Sequence, residues 1–161
     1  MILTGLEIIK EWKAGKICIQ PFSIDQINPN SYDFKLANTL QMYTNHVLDT
    51  RGDNPKREML IPEEGLVLQP GRVYLGCTKE SMGSDYYVPI IHGKSSIARL
   101  GLFIHVTADL IDIGLHDHWS LQLNPIHPVR VYPDIRIGHV TFSRVFGKIV
   151  LSQMSQGWCK F

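Results

Sequence analysis

The segment GKSSIARLGLFIHVTADLIDIG, residues 93–114, decides how this sequence is interpreted. Its first part places a lysine, two serines and an arginine between two glycines. Cations, hydroxyls and a flexible backbone are the groups that bind phosphate, so the segment indicates a phosphate or nucleotide site. A P-loop is excluded, because that motif requires a glycine five positions before Gly93 and Val88 stands there.

The length and composition indicate a single globular domain over residues 1–161. The chain has 161 residues, of which 44% are hydrophobic, and this is enough for a substantial core. Sixteen basic and fifteen acidic residues give a formal net charge of +1. Because nucleic-acid-binding domains usually carry a basic excess, we expect a small-molecule ligand such as a free nucleotide, and no nucleic-acid partner.

The cysteines and the hydropathy pattern predict a cytoplasmic protein. Cys18, Cys77 and Cys159 are widely spaced and form no CxxC pair, so neither a disulfide framework nor a zinc ribbon is indicated. This cysteine usage fits a reducing compartment. No segment approaches the roughly 18 apolar residues of a membrane span, so we expect no association with a membrane.

Short apolar runs separated by turn residues predict an all-β fold that begins with one helix. Thr4 and Glu7 have the spacing of a capping box, and the apolar face that follows predicts a helix from Leu6 to Ala14. The charged stretch 45–62 is predicted to be an exposed loop. Many short strands favour a sandwich or barrel over βαβ units. Strands are predicted over residues 16–20, 32–36 (half-buried, from its alternating pattern), 66–68, 73–78, 88–91, 103–107, 119–123, 129–132 and 137–142.

Two segments carry a family resemblance. Residues 93–114, here called the central motif, resemble the central signature of the dCTP deaminase branch of the dUTPase superfamily. Residues 27–36 (INPNSYDFKL), here called the early motif, resemble that branch's early motif. The match extends more weakly from Met1 to about Ser143. The resemblance implies a distorted jelly-roll β-barrel of the dUTPase type, and a homotrimer with active sites between subunits.

The resemblance also implies an enzyme and its site residues. The activity would be that of a pyrimidine deoxynucleotide hydrolase, which converts dCTP and water to dUTP and ammonia. Ser95 and Arg99 would orient the reacting base and water, and the carboxylate of Asp112 would accept a hydrogen bond from the 3′-hydroxyl of the deoxyribose. The other implied positions are Lys94 and Ser96 as phosphate ligands, His105, Val106 and Thr107 in nucleotide binding, and Ala108 in catalysis.

The residues alone also permit structural interpretations of this segment. A lysine, two serines and an arginine in this order fit a tight turn that leads into one helical turn, with Ser95 or Ser96 as its cap. Asp112, which stands shortly before Gly114, fits an ordinary turn residue.

Gln122 is the first departure from the deaminase pattern. That branch carries a glutamate here, which takes a proton from water so that hydroxide adds to C4 of cytosine and ammonia leaves. A carboxylate can accept and return this proton, whereas a neutral amide cannot. His118 lies roughly 13 Å along the predicted strand, too far to replace it within one subunit. His105, Asp109 or a residue of another subunit remains available as the base.

The C-terminal segment 144–161 is the second departure, and it is predicted to be a short lid or tail. Gln156 and Gly157 resemble the end of the family's lid, but Ser155 stands where a glutamine is expected and the segment has no tyrosine. Fewer charge-assisted contacts would then hold a γ-phosphate, so a nucleotide with fewer phosphates is compatible with the sequence.

A resident metal ion is not predicted. His116, Asp117 and His118 are adjacent, and alternating strand residues rarely converge on one ion. The His-x-Glu and Pro-Cys-x-x-Cys motifs of zinc deaminases are missing from the sequence. Mg²⁺ is expected only as a companion of the nucleotide phosphates.

Three alternatives to deamination therefore stay open. The chain could be a dUTP pyrophosphatase in which Asp112 positions the attacking water. It could be a nucleotide-binding or regulatory homologue that has lost turnover, or a variant that acts on a monophosphate or a modified pyrimidine.

Overall fold

The computed structural model describes residues 1–105 and 108–151, and these form a mostly β fold with a short helix at the start, as the sequence predicts. The helical elements are α1 (Gly5–Lys13), a 3₁₀ turn (Ile24–Gln26) and α2 (Ser95–Ala98). The strands are β1 (Cys18–Gln20), β2 (Tyr32–Lys35), β3 (Thr39–Tyr43), β4 (Lys56–Leu60), β5 (Leu66–Leu68), β6 (Tyr74–Gly83), β7 (Tyr87–Gly93), β8 (Leu102–Phe103), β9 (Asp117–Pro125), β10 (Val129–Val131) and β11 (Arg136–Arg144).

Local interactions that the sequence predicts set the beginning and the end of helix α1. The Thr4 hydroxyl accepts a hydrogen bond from the Glu7 backbone N–H at 3.4 Å, which is half of a capping box. After the helix ends, Gly15 adopts a φ of 71°, a conformation that glycine reaches without strain. Ile8 is fully buried and fixes the helix to the β core.

The strands of the described residues form three sheets that do not close into one continuous hydrogen-bonded barrel. The largest sheet has the order β4-β3-β6-β9-β8, and β1 also pairs with β6. A three-stranded sheet has the order β2-β11-β7, and β10 pairs with β5. All these pairings are antiparallel. The core between the sheets includes the fully buried side chains of Trp119, Tyr32, Phe34 and Phe142.

The stretch 45–62 is not a loop throughout, so that prediction is wrong for its second half. Residues Lys56–Leu60 form β4, an edge strand paired with β3. Four of its five side chains are exposed, so the strand lacks the buried apolar face that would reveal it in the sequence. The strand β3 was missed as well, although buried Leu40 and Met42 alternate there with Gln41 and Tyr43.

Two further expectations need correction. Strand β2 is not half-buried, because Asp33 lies between buried Tyr32 and Phe34 and is itself only 2% exposed. The cysteine spacing gave no indication of a disulfide, yet Cys77 is disulfide-bonded, whereas Cys18 is a free thiol. Within the described ranges, no helix is long and apolar enough to cross a membrane.

Two glycines on adjacent strands of the three-stranded sheet provide a matched test of how tightly the core is packed. Gly138 on β11 pairs in register with Gly93 on β7. A Cβ atom at Gly138 would come within 3.0 Å of Phe34, Ile104 and the backbone oxygen of His92, whereas a Cβ at Gly93 would meet only Ile104, at 3.9 Å.

We expect Gly138→Ala to lower the free energy of unfolding by about 1–3 kcal/mol, because the added methyl group overpacks the core. Gly93→Ala should change it by less than about 0.5 kcal/mol. Urea unfolding of both variants measures the difference. Equal destabilisation by the two substitutions would contradict the packing seen around Gly138.

Candidate functional site

The cationic part of the central motif lies where β7 passes into the short helix α2. The Lys94 carbonyl oxygen accepts hydrogen bonds from the backbone N–H groups of Ile97 and Ala98, both at 2.9 Å, so Lys94 is the residue that caps the helical turn. The predicted helical turn is present, but neither serine caps it and no side-chain cap is formed. Ser95, Ser96 and Arg99 are exposed, which leaves their side chains accessible to a ligand.

Lys94 differs from these three residues, because its ammonium group is paired within the chain. Its Nζ lies 2.5 Å from Oδ2 of Asp33, a carboxylate whose side chain is only 4% exposed. The other oxygen of Asp33 accepts a hydrogen bond from the Asn28 side-chain amide at 2.7 Å. The early motif and the central motif are therefore in direct contact. The sequence pattern had placed Asp33 on a solvent face and gave it no role.

Gln122 lies beside a cavity of about 460 Å³ on the face of the large sheet, here called the Gln122 cavity. Gln41, Leu75 and Gln122 stand in register on the adjacent strands β3, β6 and β9, so the two glutamines flank a leucine and their backbones are about 10 Å apart. No aspartate or glutamate of the described residues lines the cavity. Its lining consists of Gln41, Tyr43, Lys56, Leu75, Gly76, Ala108, Leu110, Ile111, Leu115, His118, Trp119, Ser120 and Gln122.

The single chain brings together only part of the site expected from the sequence. Ala108 lines the same cavity as Gln122, whereas Ser95, Arg99, Asp112 and His105 do not belong to its lining. Asp112 is exposed, and its carbonyl oxygen accepts a hydrogen bond from Leu115, as expected of a turn residue. The predicted site residues Val106, Thr107 and Gln156 lie outside the described residues.

Sequence reasoning missed several residues of the Gln122 cavity. Gln41 and Tyr43 alternate with buried residues on β3, and this alternation was the signal that could have identified them. Lys56 had no such signal, because it lies on the exposed strand β4. A larger cavity of about 600 Å³ shares only His118 with the Gln122 cavity, and none of the residues assigned to the nucleotide site lines it.

His105 is a partly buried basic group close to the strand of Gln122. The backbone N–H of Gln122 donates to the Ile104 carbonyl oxygen at 2.9 Å, so the segment that carries His105 runs beside β9. Its Nδ1 is buried without a hydrogen-bond partner among the described residues. Burial lowers the pKa of His105, with an opposing effect from Asp109 and a further lowering by His92. The imidazole is therefore neutral near pH 7, which leaves it able to accept a proton.

Comparison with known proteins identifies the family. A family model described as dCTP deaminase-like matches residues 2–145. The chain belongs to the dCTP deaminase-like family. Proteins named "dCTP deaminase, dUMP-forming" from Clostridium beijerinckii and Hathewaya histolytica are each 45% identical to it over 148 residues; these residues cover 92% of this chain and 85% and 86% of theirs. A protein of the same name from Leptospira biflexa is 43% identical over 149 residues, which are 92% of this chain and 85% of that relative.

A solved structure supports the fold of this dCTP deaminase-like chain. The 2′-deoxycytidine 5′-triphosphate deaminase from Agrobacterium tumefaciens superposes with a TM-score of 0.69 at 22% sequence identity. The match covers 88% of this chain and 47% of that one, so this chain spans about half the length of the solved protein. At this identity the likeness establishes the dUTPase-type fold alone.

The residues considered for a metal site have other partners in the dCTP deaminase-like chain. His116 Nε2 lies 2.8 Å from Oδ1 of Asp85, and His118 Nδ1 lies 3.0 Å from the carbonyl oxygen of Thr78. In the part of the chain that the structure describes, no group of three or more His, Cys, Asp or Glu side chains is placed to hold a metal ion.

A second partly buried histidine lies beside the Asp33–Lys94 pair. His139 stands in register between Asp33 on β2 and His92 on β7, and its ring stacks on the His92 ring with centroids 5.3 Å apart. Burial lowers the pKa of His139, and the neighbouring His92 lowers it further.

These two histidines predict a fold whose stability falls as the solution becomes mildly acidic. In the unfolded chain an imidazole titrates near pH 6.5, but the pKa values of His105 and His139 are lower in the folded chain. Below about pH 6.5 the unfolded chain therefore binds more protons, and the free energy of unfolding decreases. The lowered carboxyl pKa values of Glu11 and Asp25 act at lower pH, so they do not contribute in this window.

Urea midpoints measured from about pH 7.5 to about pH 5.5 test this dependence. We expect His139→Asn to flatten the pH dependence, whatever its effect on stability at pH 7.5. The same substitution at exposed His46 serves as the control and should leave the wild-type slope. An unchanged slope in His139→Asn would show that burial of this imidazole does not matter.

Proposed function

We propose that the chain is a pyrimidine deoxynucleotide hydrolase that acts on dCTP. The observation that carries this proposal is the 45% identity, over 92% of the chain, to proteins named as dUMP-forming dCTP deaminases. The exposed hydroxyls of Ser95 and Ser96 and the guanidinium of Arg99 supply the phosphate-binding groups. The neutral amides of Gln41 and Gln122 suit the hydrogen-bonding edge of a pyrimidine.

The two halves of this site are proposed to meet between copies of the chain. Ser95 and Arg99 are exposed and lie outside the lining of the Gln122 cavity, and this supports a site in which a second copy supplies them to the nucleotide. We propose a homotrimer, which light scattering would report as three times the chain mass of 18.3 kDa. Mg²⁺ would arrive with the nucleotide phosphates as part of the substrate.

Deamination in this chain requires a base other than Gln122, and we propose His105. The neutral imidazole would take a proton from water, hydroxide would add to C4 of the cytosine, and the proton would return to the departing ammonia. The buried Nδ1 without a partner and the lowered pKa of His105 support this role. His105 does not line the Gln122 cavity. The nucleotide would therefore have to extend beyond the cavity towards residues 104–105 to reach the imidazole.

The test is an incubation with Mg²⁺ and dCTP, dCMP, dUTP or dUMP, followed by quantification of ammonia and pyrophosphate. We expect ammonia from dCTP, and we expect His105→Asn to lower this rate by about 10²–10⁴-fold, the usual contribution of a general base. Affinity for dCTP should stay within a few-fold of wild type. An undiminished rate in His105→Asn would exclude His105 as the base.

A second candidate function is nucleotide binding without turnover. It is favoured by Gln122, because an amide cannot accept the proton and no carboxylate of the described residues lines its cavity. Under this candidate the wild-type chain binds a deoxypyrimidine nucleotide and releases no product.

Gln122→Glu separates the two candidates, because it restores a carboxylate of nearly the same size. If the chain is a binding protein, this variant should release ammonia from dCTP at least about 10²-fold faster than wild type. Gln122→Asn is the matched control and should stay inactive. If the Gln122→Glu variant binds dCTP but releases no ammonia, the hypothesis that this chain is a deaminase inactivated by Gln122 is contradicted.

Release of pyrophosphate is a further candidate reaction, and it is favoured by the dUMP product in the relatives' names. Exposed Asp112 would position the attacking water, and no base at residue 122 would be needed. We expect Asp112→Asn to abolish pyrophosphate release from dUTP while ammonia release from dCTP is less affected. Equal loss of both products would assign Asp112 to nucleotide binding instead.

A further inference from the structure

The contact between the early and central motifs is an ion pair between residues 61 positions apart in sequence. A buried carboxylate is costly unless a cation and hydrogen bonds compensate it. Both oxygens of Asp33 are compensated, one by Lys94 Nζ and the other by the Asn28 amide. Asp33 therefore ties the Lys94 side chain, which is itself one-third exposed, to the three-stranded sheet.

Lys94 is fixed through its backbone as well as through its side chain. Its N–H donates to the Ile137 carbonyl oxygen at 3.3 Å, and its carbonyl oxygen starts the turn of α2. Helix α2 contains no fully buried residue, and only Ile97 packs partly against the core. The hydrogen bonds and the ion pair of Lys94 are thus a main determinant of the position of this exposed turn.

We propose that Asp33 is a positioning residue for the nucleotide site. Through Lys94 it sets the place of Ser95 and Arg99, so that their side chains are held ready for the phosphates. The Lys94 ammonium then serves as the anchor of the turn rather than as the independent phosphate ligand that the sequence suggested. This inference rests on the proposed function, since it assigns a residue to the same nucleotide site.

Calorimetric binding of dCTP and of deoxycytidine by Asp33→Asn, Lys94→Met and the double variant tests the proposal. We expect each single substitution to weaken dCTP binding by about tenfold, and the double variant to be no worse, because both break the same pair. Deoxycytidine, which carries no phosphate, should bind with unchanged affinity. Lys94→Arg should retain dCTP affinity, because its guanidinium can still pair with Asp33.

Glu11→Gln is the matched structural control. Glu11 is also a buried carboxylate paired with a lysine, Lys16 at 3.1 Å, but it lies on α1. It should lower thermal stability without changing the affinity ratio of dCTP to deoxycytidine. If Lys94 were an independent phosphate ligand, Asp33→Asn would leave dCTP binding unchanged or tighten it, and this result would overturn the proposal.

Hydrogen exchange in the free protein separates this inference from the proposed function. The amides of residues 97–101 are bonded within the turn, so Asp33→Asn and Lys94→Met should exchange them at least about tenfold faster than wild type. A wild-type chain that fails to bind dCTP would overturn the proposed function, while faster exchange would still support the anchor. Unchanged exchange in Lys94→Met, the variant that keeps the buried residue intact, would overturn the anchor.

Discussion

The buried carboxylate of Asp33 is the constraint on which the arrangement of this protein's site depends. A charge with 4% exposure must be neutralised, and the cation that does so is the first residue of the turn bearing Ser95, Ser96 and Arg99. The strand β11 runs between the two partners and pairs with both β2 and β7, so the three-stranded sheet sets their separation. The Asp33–Lys94 pair therefore connects strand β2 to the exposed turn that carries Ser95, Ser96 and Arg99.

Architecture and chemistry are separable in this molecule. The chain keeps the family fold, and the Gln122 cavity is lined by both apolar and hydrogen-bonding side chains, yet its described lining includes no carboxylate. The amide of Gln122 has nearly the size of a glutamate carboxylate but cannot accept a proton.

The parts of the fold that sequence could predict are those specified by local patterns. Thr4, Glu7 and Gly15 bound α1 through neighbours only, and the apolar runs at β9 and β11 identify their own strands. Strand β4 escaped prediction because it buries no face. The burial of Asp33 was not predicted, because the alternating pattern of β2 indicates that one face of the strand is exposed to solvent. Both faces of the strand are buried at this point. The relation of Ser95 and Arg99 to Gln122 could not be predicted, since they lie on separate elements and only Gln122 lines the cavity.

The most direct measurement is a crystal structure of the Gln122→Glu or wild-type protein with dCTP and Mg²⁺ bound. We expect the pyrimidine in the Gln122 cavity of one subunit and its phosphates on Ser95 and Arg99 of a neighbouring subunit, with the Asp33–Lys94 pair intact. A nucleotide bound in the larger cavity, or phosphates held by Lys94 with Asp33 unpaired, would contradict this expectation.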